Sequence, residues 1–153
     1  MNPEGLAGWA ATGTATYQTY HLALLAEALG RGGQTEEGLG VLADALARMH
    51  DSGEGFHGSE LHRLRGELLL RQGADEGVCR EAEACFLRAL SLARQQHAKS
   101  LELRAAMSLA RLYQQLGRQA EARPALAECY GWFAEGFDTP DLQEARALLE
   151  QLP

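Results

Sequence analysis

Residues 109–130 read LARLYQQLGRQAEARPALAECY, and residues 25–46, 84 positions earlier, read LAEALGRGGQTEEGLGVLADAL. A chain that repeats its own apolar pattern folds as a stack of like units, because one such unit cannot bury its apolar face alone. The matched positions are Leu22, Leu25, Ala26, Leu29, Gly33, Gly38, Leu42, Ala45 and Leu46 against Ala106, Leu109, Ala110, Tyr113, Gly117, Ala122, Leu126, Cys129 and Tyr130. A middle copy, His62, Arg65, Gly66, Leu69, Gly73, Ala82, Phe86, Ala89 and Leu90, fits after a four-residue insertion within ADEGVCRE.

Apolar residues three and four apart form one stripe on a helix, and a small residue in that stripe (Ala26, Gly66, Ala110) lets a second helix approach. Gly33, Gly73 and Gly117 follow the stripe and are expected to end the first helix of each unit in the left-handed cap conformation. Each unit then reads as a helical hairpin of the tetratricopeptide type, with the small, large, small series Ala82, Phe86, Ala89 on a second helix. The copies are spaced 40 and then 44 residues apart, against about 34 for that class. The fold class expected is therefore all-α. It is a right-handed α-α superhelix of about three hairpins, at about 19–50, 59–93 and 103–131, with a capping helix at about 140–151. The whole of 1–153 reads as one domain. DSGEGFHGS at 51–59 and RQQHAKS at 94–100 are the connections. Thr139 as N-cap, Pro140 at the first helical position and Asp141 beside the positive helix end mark the start of the last helix. Pro124 is expected in the first turn of its helix, where a missing amide costs least.

Composition narrows the function classes. A length of 153 residues suffices for a core without staples. The net charge of −7 and a pI near 5.2 argue against wrapping nucleic acid. Three cysteines, Cys79, Cys85 and Cys129, are a poor disulfide framework and suit a reducing, cytoplasmic setting. No apolar run is long enough to span a bilayer, and MNPEGLAGWAATG lacks the features of a signal peptide.

The stretch from SELHRLRGELLL through EAEACFLRALSLARQQHAKSLELRAAMSLARLYQQLGRQAEARPAL to GWFAEGFDTPDLQEARALL resembles the C-terminal tetratricopeptide region of large bacterial signalling proteins. AKSLELRAAMSLARL and EGFDTPDLQEA carry most of that likeness, which extends back to about Gly13. In that family an AAA-type or NB-ARC-like ATPase domain precedes the repeats, often with a class III adenylate or guanylate cyclase domain or a DNA-binding regulatory domain. The resemblance implies a protein-binding or regulatory module. The alternatives are the C-terminal part of an ATP-dependent nucleotide cyclase or transcription-regulating ATPase, or a small-molecule sensor. Neither a phosphate-binding G-x-x-x-x-G-K-S/T loop nor the metal-binding aspartate pairs of a cyclase occur in the sequence, so no catalytic residue and no cofactor carry over.

The resemblance to tetratricopeptide folds implies that the first helices of successive hairpins line a concave groove. Counting from the pattern, its positions are Tyr20, Ala23, Glu27 and Arg31, then Glu60, Arg63, Glu67 and Arg71, then Arg104, Met107, Arg111 and Gln115. That groove is mixed in charge at one end and basic at the other, and Arg63, Arg104 and Arg111 suit a carboxylate or an acidic peptide of a protein partner. The competing reading makes them solvated surface in pairs such as Arg63 with Glu67. His57, His62, Cys79 and Cys85 lack zinc spacing, and Ser59 and Ser100 lack a nucleophile elbow, so neither a metal nor catalysis is expected. Cys85 and Cys129 read as core. Trp132 and Phe133 are expected to dock the capping helix, while Trp9 lies before the first repeat. The apolar end of the first hairpin is expected to self-associate.

Overall fold

The computed structural model describes residues 15–52, 58–73, 75–136 and 138–152, with side chains of 15–20 and 50–52 left aside. Trp9, His57, Phe137 and the side chain of Tyr20 therefore lie outside the described residues. Those residues form seven α-helices and no strand: α1 (Ala15–Arg31), α2 (Thr35–Ser52), α3 (Gly58–Gln72), α4 (Glu76–Gln95), α5 (Lys99–Gln115), α6 (Gln119–Tyr130) and α7 (Pro140–Gln151). None of these helices is long and apolar enough to cross a membrane.

Each helix packs on the next in the chain, and α1, α3, α5 and α7 also pack on one another in that order. Among the described residues, α2, α4 and α6 do not pack on each other. The odd helices are thus an inner row, and the even helices lie outside it. Arg71, at the end of α3, donates to the Gly30 carbonyl at the end of α1 (2.8 Å). Arg104, near the start of α5, reaches Glu60 at the start of α3 and Asp141 at the start of α7. The inner row therefore runs parallel. Ser59, fully buried at the start of α3, donates its hydroxyl to the Ala89 carbonyl late in α4 at 2.8 Å, so successive helices run antiparallel.

Two turns repeat one device. Gln34 N–H bonds Leu29 O (2.8 Å) across Gly33 at φ 83, and Arg118 N–H bonds Tyr113 O (2.8 Å) across Gly117 at φ 77. These are the six-to-one bonds of the Schellman motif, which needs a left-handed residue at its corner. The same bond closes the turn between α4 and α5, from Ala98 N–H to Ala93 O (2.9 Å), with His97 at φ 54 in the glycine's place. Gly73 differs from the expectation, because it does not take a positive φ. Its turn is closed by Asp75, whose side chain accepts from Val78 N–H at 2.8 Å as the N-cap of α4. The four-residue insertion lies largely in an added first turn of α4. Pro124 is the sixth residue of α6, just past its first turn, and is exposed there. Thr139 stands at the N-cap of α7 with extended backbone, but its side chain makes no capping bond.

The core divides in two. Ala23, Ala26, Leu42, Ala45, Leu61, Leu64 and Leu68 form one cluster, and a larger one runs from Cys79 on α4 to Leu152 beyond α7, with Phe86, Leu103, Leu112 and Leu126 at most 1% exposed. Leu25, expected in the stripe, and Trp132, expected to dock the capping helix, both depart from expectation. Leu25 is 47% exposed, because α1 is the end of the inner row among the described residues, and its face away from α3 is uncovered. Trp132 is 60% exposed and sets its ring edge-on to Phe133 (centroids 5.2 Å apart) and 5.4 Å from the Lys99 ammonium. Phe133 alone of that pair packs on the cluster that holds α7.

Candidate binding groove

The inner row brings most of the counted groove residues together. One concavity of about 220 Å³ is lined by Glu27 and Arg31 of α1, Arg63 of α3, Arg104, Met107 and Arg111 of α5, and Asp141 and Glu144 of α7. A second, of about 200 Å³, shares Glu27, Arg31, Arg63 and Arg111 and adds Leu64, Glu67, Leu68 and Arg71. All four inner helices thus supply one continuous surface. A third hollow, about 560 Å³, shares Glu27 and Arg104 with the first and is walled by Ala23, Leu24, Leu64, Ala98 and Leu101, with Glu60, Lys99 and Ser100 at its edge. Its apolar walls with a few polar groups around them suit an apolar side chain or small molecule.

Individual residues take different parts. Met107 is 3% exposed and Ala23 6%, so they are floor rather than rim. Arg71 is drawn to the Gly30 carbonyl, where a cation meets the negative end of α1. Gln115 is exposed and lines none of the three hollows. Arg63 is held by Glu60 through Nε at 2.8 Å and Nη2 at 3.1 Å, with both side chains about 15% exposed, and lies 3.9 Å from Glu67. Glu67 in turn accepts from the buried Ser108 hydroxyl at 2.6 Å. Glu27 pairs with Arg31 at 2.5 Å.

The end expected to be basic is balanced by acids. Arg104 donates to Asp141 (2.9 Å) and Glu60 (3.3 Å), and Arg111 to Glu144 (3.2 Å). Asp141 and Glu144 are absent from the counted groove positions because the count covers the three hairpins, whereas α7 packs on α5 as a fourth inner helix. A signal existed: Leu103, Ala106, Leu109 and Tyr113 recur 39 positions later as Leu142, Ala145, Leu148 and Leu152, all buried.

Two groups at the start of α3 make stability depend on pH. Burial raises the cost of charging Glu60, but the hydrogen bonds and charges of Arg63 and Arg104 outweigh it and hold the carboxyl below its ordinary 4.5. Burial, then the charges of Arg88 and Arg65, hold the half-buried His62 below its ordinary 6.5. Each depressed group binds fewer protons folded than unfolded. Its contribution is present above the unfolded value and lost as the pH falls toward the folded one. The His62 part starts to go below about 6.5 and the Glu60 part below about 4.5. Urea titrations are expected to show stability declining from pH 7 to pH 5, and His62→Gln to flatten that decline. An unchanged slope would assign it to another group.

The Cys85 and Cys129 thiols are poor nucleophiles. Burial, with the Glu102 carboxylate beside it, pushes the Cys129 thiol up to about 12. Burial also raises Cys85, although Arg65 donates to its sulfur at 3.1 Å. Protonated, enclosed cysteines behave as small core residues. Glu102 itself, 4% exposed, is held by Lys99 (3.3 Å) and Arg94 (3.7 Å). Ser59 is committed to the Ala89 carbonyl. Among the described residues no group of three or more His, Cys, Asp or Glu side chains converges as metal ligands would. No protein-family model matches the chain, and no curated protein matches it.

Proposed function

We propose that the chain is a helical-repeat binding module of the tetratricopeptide type, a right-handed superhelix whose inner row takes a segment of a partner protein and performs no chemistry itself. The observation that carries this reading is the single concave surface to which α1, α3, α5 and α7 each contribute lining side chains. Extended peptides suit such a surface, since each inner helix offers one contact per turn of the stack. The apolar hollow beside Leu24, Leu64 and Leu101 accepts an apolar anchor, and the arginines beyond it accept carboxylates. Three buried cysteines that are not joined in disulfides support placing the module in the reducing cytoplasm. The same hollow of about 560 Å³ favours a second reading, a small-molecule sensor.

Selection from a displayed library of random peptides tests the module. Sequences pairing an apolar residue with nearby acids are expected to be enriched, and Leu24→Asp is expected to abolish the apolar preference. Arg31→Glu/Arg111→Glu is expected to abolish the acidic preference. Arg31 and Arg111 are chosen because their side chains are 72% and 45% exposed, whereas Arg63 is fixed by Glu60. Enrichment of the same peptides by all three proteins would sink the groove assignment. A library that yields nothing, with small apolar ligands raising the melting temperature, would favour the sensor.

A further inference from the structure

The groove arginines fall into two classes. Arg63 is enclosed with Glu60 and belongs to the packing of α3. Arg104 and Arg111 are 43% and 45% exposed, and their partners on α7, Asp141 and Glu144, are 32% and 60% exposed. Water reaches both pairs, so each favours the closed state by only about 1.4- to 5-fold. Docking of α7 does not depend on them. Leu142, Ala145 and Leu148 are at most 5% exposed, and Arg123 donates to the Leu149 and Leu152 carbonyls at 2.8 and 2.9 Å. The two acids can therefore leave their arginines while the helix stays in place.

We propose that Asp141 and Glu144 are built-in competitors for the groove, occupying Arg104 and Arg111 until the carboxylates of an acidic partner peptide replace them. This rests on the peptide-binding reading above and adds the partner's chemistry and its control. Exchange of one carboxylate for another at a guanidinium gains little, so an isolated anion is rejected. A peptide that presents two acids together gains the second contact intramolecularly and also fills the apolar hollow. The acids of α7 thus convert a general attraction for anions into a requirement for a particular spacing.

The test uses the full chain and a fluorescein-labelled peptide of alternating glutamate and leucine, with a glutamine-for-glutamate control peptide. Anisotropy is expected to show Asp141→Asn/Glu144→Gln binding the acidic peptide about 2- to 25-fold tighter than the unaltered chain. Its affinity is also expected to fall more steeply with salt, because Arg111 loses its carboxylate partner and Arg104 keeps only Glu60, which leaves more positive charge facing the ligand. The gain is expected to vanish when Arg104→Gln/Arg111→Gln is added, and with the control peptide; urea titration checks that each variant is folded. If the Arg104 change unfolds the chain, Arg111→Gln alone is expected to remove part of the gain. Equal or weaker binding by the acid-to-amide variant overturns the proposal, as does a gain that survives loss of the arginines. If library-selected peptides bind both proteins equally, only the competitor role falls. If neither protein binds any peptide, the binding reading falls with it.

Discussion

Phe86→Ala is expected to lower the stability of the chain by about 3–5 kcal/mol, the largest effect of any single truncation in the inner row's support. The ring is fully buried on α4 and lies over Gly66 of α3. Truncation removes the apolar area and leaves a void that the two helices fill poorly, since their backbones are already in close approach across the glycine. For a domain whose total stability is about 5–15 kcal/mol, the midpoint in urea is expected to move far enough that a large part of the population is unfolded at modest denaturant. The dependence on denaturant is expected to keep its slope. A loss under about 1 kcal/mol would mean that the α3–α4 contact rearranges freely and that Phe86 does not hold it.

Gly66→Val is expected to be costly for the complementary reason. A Cβ at Gly66 would stand 2.6 Å from Phe86 Cε1 and 3.0 Å from two further ring atoms. A buried ring has no open side to swing into, so overpacking of about 1–3 kcal/mol results, and the branched side chain recovers little of the glycine's helix penalty. The effect also reaches the groove, because α3 carries Glu60, Arg63 and Glu67. The two changes are expected to be non-additive by about 0.5–3 kcal/mol, with Gly66→Val cheaper once Phe86→Ala has opened the space. Strict additivity in a double-mutant cycle would show that the clash is relieved by backbone movement and not by the ring.

The glycine and the phenylalanine were both legible in the repeat, Gly66 as a small residue in a stripe and Phe86 as the large member of a small, large, small series. Their mutual contact was not, since sequence offsets do not say which ridge meets which gap. The start of α7 was legible from Thr139 and Pro140, because the fixed φ of a proline at the first helical position is a local property, although Thr139 makes no capping bond. The turn after α3 was misread at Gly73, because an insertion lengthened the following helix and moved the turn's closure to the Asp75 cap. Glu102 and its cations went unread, since nothing in LELRAAM distinguishes a buried glutamate from a solvated one.

The groove divides the same way. Counting along the inner helices located Glu27, Arg31, Arg63, Glu67, Arg104 and Arg111 on the shared surface. It could not tell that Met107 is floor, that Arg71 turns to the end of α1, or that Asp141 and Glu144 neutralise the basic end. Apolar periodicity and turn residues act within one or two turns of chain, so the sequence by itself determined the all-α class and the repeat of its apolar pattern. Which charges meet across α3, α5 and α7 depends on groups 33–44 residues apart in the chain brought within about 3 Å of each other. Only the tertiary packing of the inner row decided that, because an ion pair between helices is set by their relative shift and tilt, which no local pattern encodes.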